Sequence, residues 1–163
     1  EGIMNRLFPA MPEEAFKTYL EQYEQLHDSI CPAPFSGIRE LMSALVEKGF
    51  HLAMVTGKSR QATDITLKKF GLLPFFELIE TGSPEKASKV NKLTNVLHHF
   101  NINPSEALYI GDEARDIDYC RKANIAIASA AWASTAQLLE LEQQNPGMVF
   151  KQLESFKDWL FKQ

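Results

Sequence analysis

Asp112 and Asp116 stand four positions apart in Ala107-Leu108-Tyr109-Ile110-Gly111-Asp112-Glu113-Ala114-Arg115-Asp116-Ile117, directly after an apolar run that stops at a glycine. The run 107–110 has no polar alternation, as a strand covered on both faces requires, while Ala114, Ile117, Cys120 and Ala123 recur at a three-residue helical step. The stretch therefore predicts strand, tight turn and helix. Asp112 falls at the strand's carboxyl end and Asp116 one helical turn later, so both carboxylates can face the crevice where open parallel sheets bind ligands. Hard oxygen donors in a pair suit magnesium. A plainer reading, in which Asp112 caps the helix and Asp116 is a solvated surface acid, fits these two residues equally well.

A second stretch repeats the theme. His51-Leu52-Ala53-Met54-Val55-Thr56-Gly57 is an apolar run closed by a hydroxyl and a glycine, followed by Ser59 as the cap of a helix that Gly71 ends. Thr56 lies at a strand's carboxyl end, and the Gly57 and Lys58 amides can donate to an anion near the helix start. A lone threonine at a strand end is also commonplace. Between the two stretches, Lys86, Lys89 and Lys92 enter a helix whose apolar stripe is Val90, Leu93, Leu97 and Phe100. Lysines at steps of three read as a solvated face. For one of them to do chemistry it must sit at the helix start, and Lys89 is best placed.

The remaining elements supply the frame. Residues 12–30 predict a helix with Pro12 in its first turn and Phe16, Tyr19, Leu20, Tyr23 and Leu26 on one stripe. Cys31-Pro32-Ala33-Pro34 cannot continue it, which marks a boundary. Ile38, Leu41, Met42, Leu45 and Val46 give a second amphipathic helix, ended by Gly49. Residues 76–81 predict a short strand running into Gly82-Ser83-Pro84, Asn103-Pro104 caps and restarts the chain, and residues 125–128 form another buried-type strand. A helix opening at Ser134, an edge strand at 148–150 and a last helix through Leu153, Phe156 and Leu160 complete the chain. Trp132 and Trp159 read as core, and His98 and His99 as surface residues without a metal partner. This alternation favours a three-layer α/β architecture with a mainly parallel sheet.

With 163 residues, 45% hydrophobic and 23% charged, one main globular domain is expected. A net charge of -4 without any lysine or arginine run argues against nucleic-acid binding through a basic face. Cys31 and Cys120 support neither a disulfide framework nor a cysteine zinc site, and no apolar run reaches membrane-span length. The expectation is a cytoplasmic protein with no membrane and no nucleic-acid partner.

Thr56 with Gly57, then Lys89, then Gly111-Asp112 with Asp116 thus end strands or begin helices in a fixed order, and in a doubly wound sheet they should converge. The order and residue types resemble the haloacid dehalogenase-like hydrolase superfamily in its phosphoglycolate-phosphatase-like branch. Met54-Val55-Thr56-Gly57-Lys58-Ser59-Arg60 is similar to that family's second motif. Lys89, placed 112 minus 89 or 23 positions ahead of Asp112, suits the third, and residues 109–117 resemble the fourth. The resemblance implies a three-layer Rossmann-like sandwich over residues 35–163, with residues 1–34 as the C-terminal part of a small helical cap. It also implies that Thr56 and the Gly57 amide hold phosphate oxygens, that Lys89 neutralises charge, and that Asp112 and Asp116 serve a magnesium ion. The substrate class it implies is a small phosphorylated metabolite. The family's first motif, an aspartate nucleophile followed two residues on by an acid/base aspartate, has no counterpart here, since Asp28 follows a helical stripe and no apolar strand. The expectation is a magnesium-dependent phosphatase working through an aspartyl-phosphate, with the nucleophile upstream of Glu1 and these residues alone inactive. The alternative is a non-catalytic phosphate-binding or interaction module of the same fold. A phospho-receiver domain shares acid, threonine and lysine, but there the acids precede the threonine.

Overall fold

The computed structural model describes residues 2–82 and 88–162. Lys86 and the turn residues Ser83-Pro84 lie outside that range. The chain forms two compact units, Glu1–Ser88 and Lys89–Gln163.

In the first unit, helices α1 (Gly2–Leu7), α2 (Pro12–Ile30) and α3 (Ile38–Glu47) precede strand β1 (Ala53–Val55), helix α4 (Arg60–Lys69) and strand β2 (Leu78–Glu80). Helix α2 carries its expected proline in the first turn, but its covered stripe is Phe16, Leu20, Tyr23 and His27. Tyr19 and Leu26 are exposed, and His27 is only 2% exposed. Residues 16, 20, 23 and 27 are spaced by four, three and four, so they stack on one face of a 3.6-residue helix, whereas 19 and 26 sit on the neighbouring stripe. That face packs on α4. Met42, Leu67 and Leu72 form the apolar core of this unit, with Ile38, Leu52, Met54, Phe70, Phe75 and Ile79 around them. Ser59 caps α4 as expected, its hydroxyl accepting from the Ala62 amide at 3.2 Å.

The second unit runs α5 (Lys89–Phe100), β3 (Leu108–Gly111), α6 (Ala114–Ala123), β4 (Ala126–Ala130), α7 (Leu138–Gln144), β5 (Val149–Phe150) and α8 (Leu153–Leu160). Ile117 and Cys120 of α6 are buried with Leu93 and Leu97 of α5. Trp132, Phe150, Phe156 and Trp159 stack at ring separations of 5.4–6.1 Å, so both tryptophans pack against phenylalanines. Two expectations are corrected here. Helix α7 begins at Leu138 rather than at Ser134, because residues 132–137 form a turn-rich loop whose Thr135 is committed elsewhere. Lys92, read with its neighbours as part of a solvated face, is only 6% exposed.

Every strand pairing is parallel, as the alternation of helices and strands demands. The strands lie in two sheets, β1-β2 and β3-β4-β5. Among the described residues nothing pairs with β1 on the side away from β2, or with β3 on the side away from β4. This edge status has a visible effect. The three residues of β1 are half-buried, and Ile110 of β3 keeps 41% exposure where the sequence predicts cover on both faces.

Candidate functional site

In the second unit β3 ends at Gly111, and the next residue, Asp112, stands at the carboxyl end of the sheet β3-β4-β5. Asp112 does not cap α6. The cap position belongs to Glu113, without a side-chain capping bond, and the Asp112 carboxylate instead accepts from the Thr135 hydroxyl at 3.1 Å through Oδ2. Asp112, Glu113, Ala114, Arg115, Thr135, Gln137 and Glu140 line a cleft of about 460 Å³. Glu113 and Arg115 close on each other in a two-pronged ion pair, which holds the Glu113 carboxyl below its ordinary range.

Asp116 is not a solvated acid either. Its carboxylate is 3% exposed and accepts from the Lys89 ammonium at 2.5 Å. Lys89 is the first residue of α5, and its ammonium also lies 5.3 Å from the centre of the Tyr109 ring. Burial by itself pulls the Lys89 ammonium down; the bonds to Asp116 and Tyr109 outweigh it and leave it raised above its ordinary value. Tyr109 is raised by burial, and Cys120, beneath the pair, is pushed up to about 12 by burial and by the Asp116 charge. Gly111 makes the pair possible. A Cβ there would meet Asp116 Oδ2 at 2.6 Å and the Tyr109 ring at 2.6 Å, so the strand must end in a residue without a side chain for the carboxylate to fold over it.

A magnesium ion fits one part of this set. Asp112 gives one oxygen to Thr135 and keeps the other for a ligand, the single-carboxylate mode that magnesium accepts when waters and phosphate oxygens complete its shell. Asp116 has Oδ1 committed to Lys89, so it fits better as the group that orients the ammonium. Among the described residues no cluster of three or more ligating side chains could hold a metal by itself.

In the first unit Thr56 follows β1 directly, and its amide extends the parallel ladder by donating to the Glu80 carbonyl at 2.9 Å. The Thr56 hydroxyl accepts from the Lys58 amide at 3.1 Å, so this amide, expected to be open to an anion, is already taken by the turn. The Gly57 amide has no acceptor among the described residues, and Gly57 is exposed. Gly82 packs backbone to backbone against the loop, its amide donating to the Lys58 carbonyl at 2.6 Å, and a Cβ at Gly82 would collide with the Gly57 carbonyl. Asp28 sits in the last turn of α2, exposed and ion-paired with Lys69 at 2.9 Å. His98 and His99 are exposed at the far end of α5.

The structure thus brings Lys89, Asp112 and Asp116 into one unit and Thr56 and Gly57 into the other. Sequence reasoning missed Thr135, which lies 23 positions from Asp112. It also missed Tyr23, whose hydroxyl accepts from the Lys58 ammonium at 2.7 Å. No local pattern signals either contact.

Comparison with known proteins gives a consistent picture. The sequence model described as haloacid dehalogenase-like hydrolase matches residues 1–130. A phosphoglycolate phosphatase of Thiobacillus denitrificans is 33% identical over 121 residues, 73% of this chain and 53% of that protein. Pyrophosphatase PpaX of Halalkalibacterium halodurans is 29% identical over 155 residues, 94% of this chain and 71% of that protein. The chain spans only about half the length of the phosphoglycolate phosphatases it matches first, 53% and 56%. A crystal structure of a haloacid dehalogenase-like protein from Agrobacterium tumefaciens shares the fold at a TM-score of 0.71, with 17% identity over 97% of this chain and 76% of that one.

Proposed function

The chain belongs to the haloacid dehalogenase-like hydrolase family, and from that premise we propose that it is the phosphate- and metal-handling part of a magnesium-dependent phosphatase acting on a small phosphate monoester. Residues 1–34 are then the C-terminal part of a helical cap and residues 35–163 belong to the hydrolase core. The observation that carries the reading is the buried Lys89–Asp116 pair, built beside Asp112 at the carboxyl end of a parallel sheet.

Phosphoryl transfer is mostly positioning and charge neutralisation around a trigonal phosphoryl group. Lys89 supplies a fixed ammonium, kept protonated and aimed by Asp116. Asp112 supplies the carboxylate oxygen for magnesium, which when bound would polarise a phosphoryl oxygen and neutralise charge. The Thr56 hydroxyl and the Gly57 amide hold phosphoryl oxygens, a role suited to a loop that opens a helix. None of these groups accepts the phosphoryl group covalently. That step asks for an aspartate ahead of these residues in the complete enzyme, forming the aspartyl-phosphate that water then hydrolyses. The small phosphate compounds in the relatives' names, the ester phosphoglycolate and the anhydride pyrophosphate, set the range for a first screen.

The test is turnover of an aryl phosphate by a chain that joins these residues to an upstream strand ending in Asp-x-Asp. Magnesium-dependent hydrolysis is expected. Asp112→Asn should remove most of it, since an amide keeps the shape and loses the charge, and Lys89→Ala should do the same. Near-normal turnover by Asp112→Asn at saturating substrate and limiting magnesium would refute the metal assignment. Phosphate binding without any turnover in the extended chain would favour a non-catalytic phosphate-binding module.

A further inference from the structure

The loop that follows β1 carries a cation that the reading above does not use. Lys58 Nζ donates to the Tyr23 hydroxyl at 2.7 Å and lies 5.1 Å from the centre of the Tyr23 ring. An ammonium donates only, so the Tyr23 oxygen must accept, and its own proton goes on to Thr66 Oγ1 at 2.8 Å. Thr66 in turn donates to the Ala62 carbonyl at 3.3 Å and lies 3.2 Å from His27 Nε2. The relay Lys58, Tyr23, Thr66 is therefore anchored from behind by the packing of α2 on α4, where His27 is buried. No carboxylate among the described residues forms an ion pair with Lys58.

These observations combine in one way. A lysine at the start of the helix next to Thr56 and Gly57 is held in place by a phenol and, among the described residues, keeps two N–H donors and its charge for something else. Holding it there removes part of the rotamer freedom that a free lysine loses on binding an anion. Building on the phosphatase reading, we propose that Lys58 is a second anion-binding residue of this loop, positioned by Tyr23, and that it takes the second anionic group of a two-anion phosphate ester or anhydride. Thr56 and Gly57 hold the phosphoryl group to be transferred; Lys58 reads the carboxylate or further phosphoryl group attached to it. Tyr23 acts through Lys58 and not on the substrate, so the docking of α2 on α4 sets selectivity for such substrates.

The test is calorimetric titration of the 163-residue chain, without added metal, with inorganic phosphate, pyrophosphate and 2-phosphoglycolate. The proteins are wild type, Lys58→Met, Tyr23→Phe and the double variant. Lys58 is exposed and Tyr23→Phe keeps the ring, so circular dichroism should match wild type for all four. Lys58→Met should weaken at least one two-anion probe by about tenfold and inorganic phosphate by no more than about twofold. Which two-anion probe suffers identifies the second group as carboxylate or phosphoryl. Tyr23→Phe should shift the same selectivity ratio by about threefold in the wild-type background and not at all beside Lys58→Met, a coupling that a merely structural tyrosine would not show. Equal weakening of all three probes by Lys58→Met, no weakening, or an additive Tyr23→Phe effect overturns the inference and leaves the phosphatase reading standing. Wild type that binds none of the three also overturns the inference, while the phosphatase reading stands or falls on turnover by the extended chain.

Discussion

Replacing Lys89 by methionine isolates the energetic core of the site. In the wild type the Asp116 carboxylate is 3% exposed and its ammonium partner stands at 2.5 Å with 21% side-chain exposure. Methionine keeps the apolar stem and removes the charge, leaving a buried carboxylate with no cation. Breaking a buried ion pair on one side costs about 3–5 kcal/mol, much of it the uncompensated charge that remains. That is a folding constant lower by roughly 10²- to 10⁴-fold, a large part of the ~5–15 kcal/mol that ordinary domains possess. Urea unfolding of the 163-residue chain followed by circular dichroism at pH 7 measures it. The pH dependence identifies the cause. An orphaned buried carboxylate binds its proton more tightly in the native than in the unfolded state, so the variant loses stability as pH rises and regains it on acidification. In the wild type the sign is set by Lys89. Its ammonium is raised above the ordinary 10.5, so its contribution is complete below that value and disappears as pH climbs through the higher folded one. The gap between the two proteins should therefore be widest near neutrality and narrow at both ends. Asp116→Asn placed in the Lys89→Met background should recover at least about 1.5 kcal/mol, since it removes the stranded charge. A Lys89→Met chain within about 1 kcal/mol of wild type at pH 7, or a gap that does not shrink in acid, would refute the reasoning.

Gly111→Ala should cost about 1–3 kcal/mol by urea midpoint, because its Cβ would enter the space of Asp116 Oδ2 and the Tyr109 ring; Gly57→Ala, with nothing within 4 Å of the added carbon, should be near neutral. Thr135→Val should weaken manganese binding, followed by electron paramagnetic resonance, by about tenfold, while Thr135→Ser retains it, since only a hydroxyl can hold Asp112 Oδ2. The 163 residues alone should show no magnesium-dependent turnover of an aryl phosphate; wild-type-like turnover would make an acid of this chain, Asp28 first, the phosphoryl acceptor.

The boundaries written in local chemistry could be read directly. Pro12 in the first turn of α2, Ser59 capping α4 and the apolar run stopping at Gly111 each act within four or five residues, and each falls where the sequence puts it. Burial was less legible, because it depends on what lies opposite. Leu26 is more apolar than His27, yet His27 is the residue inside, since Thr66, Tyr23 and Phe70 supply the partners that make a buried imidazole tolerable. Lys92 is the same case on α5: a row of lysines looks solvated until the fold turns one of them inward. Apolar runs mislead in the opposite direction, for the chain 107–110 reads as doubly covered while Ile110 remains exposed on an edge strand. The candidate site divides along this line. Asp112, Asp116 and Lys89 could be proposed from their places at a strand end or near a helix start. The choice of Asp116 over the solvent as the partner of Lys89 depends on a separation of 27 positions in the chain and on the missing side chain of Gly111. A sequence states which groups are available for chemistry; their pairing follows from where a glycine lets two backbones or a backbone and a carboxylate approach, and that is decided in three dimensions.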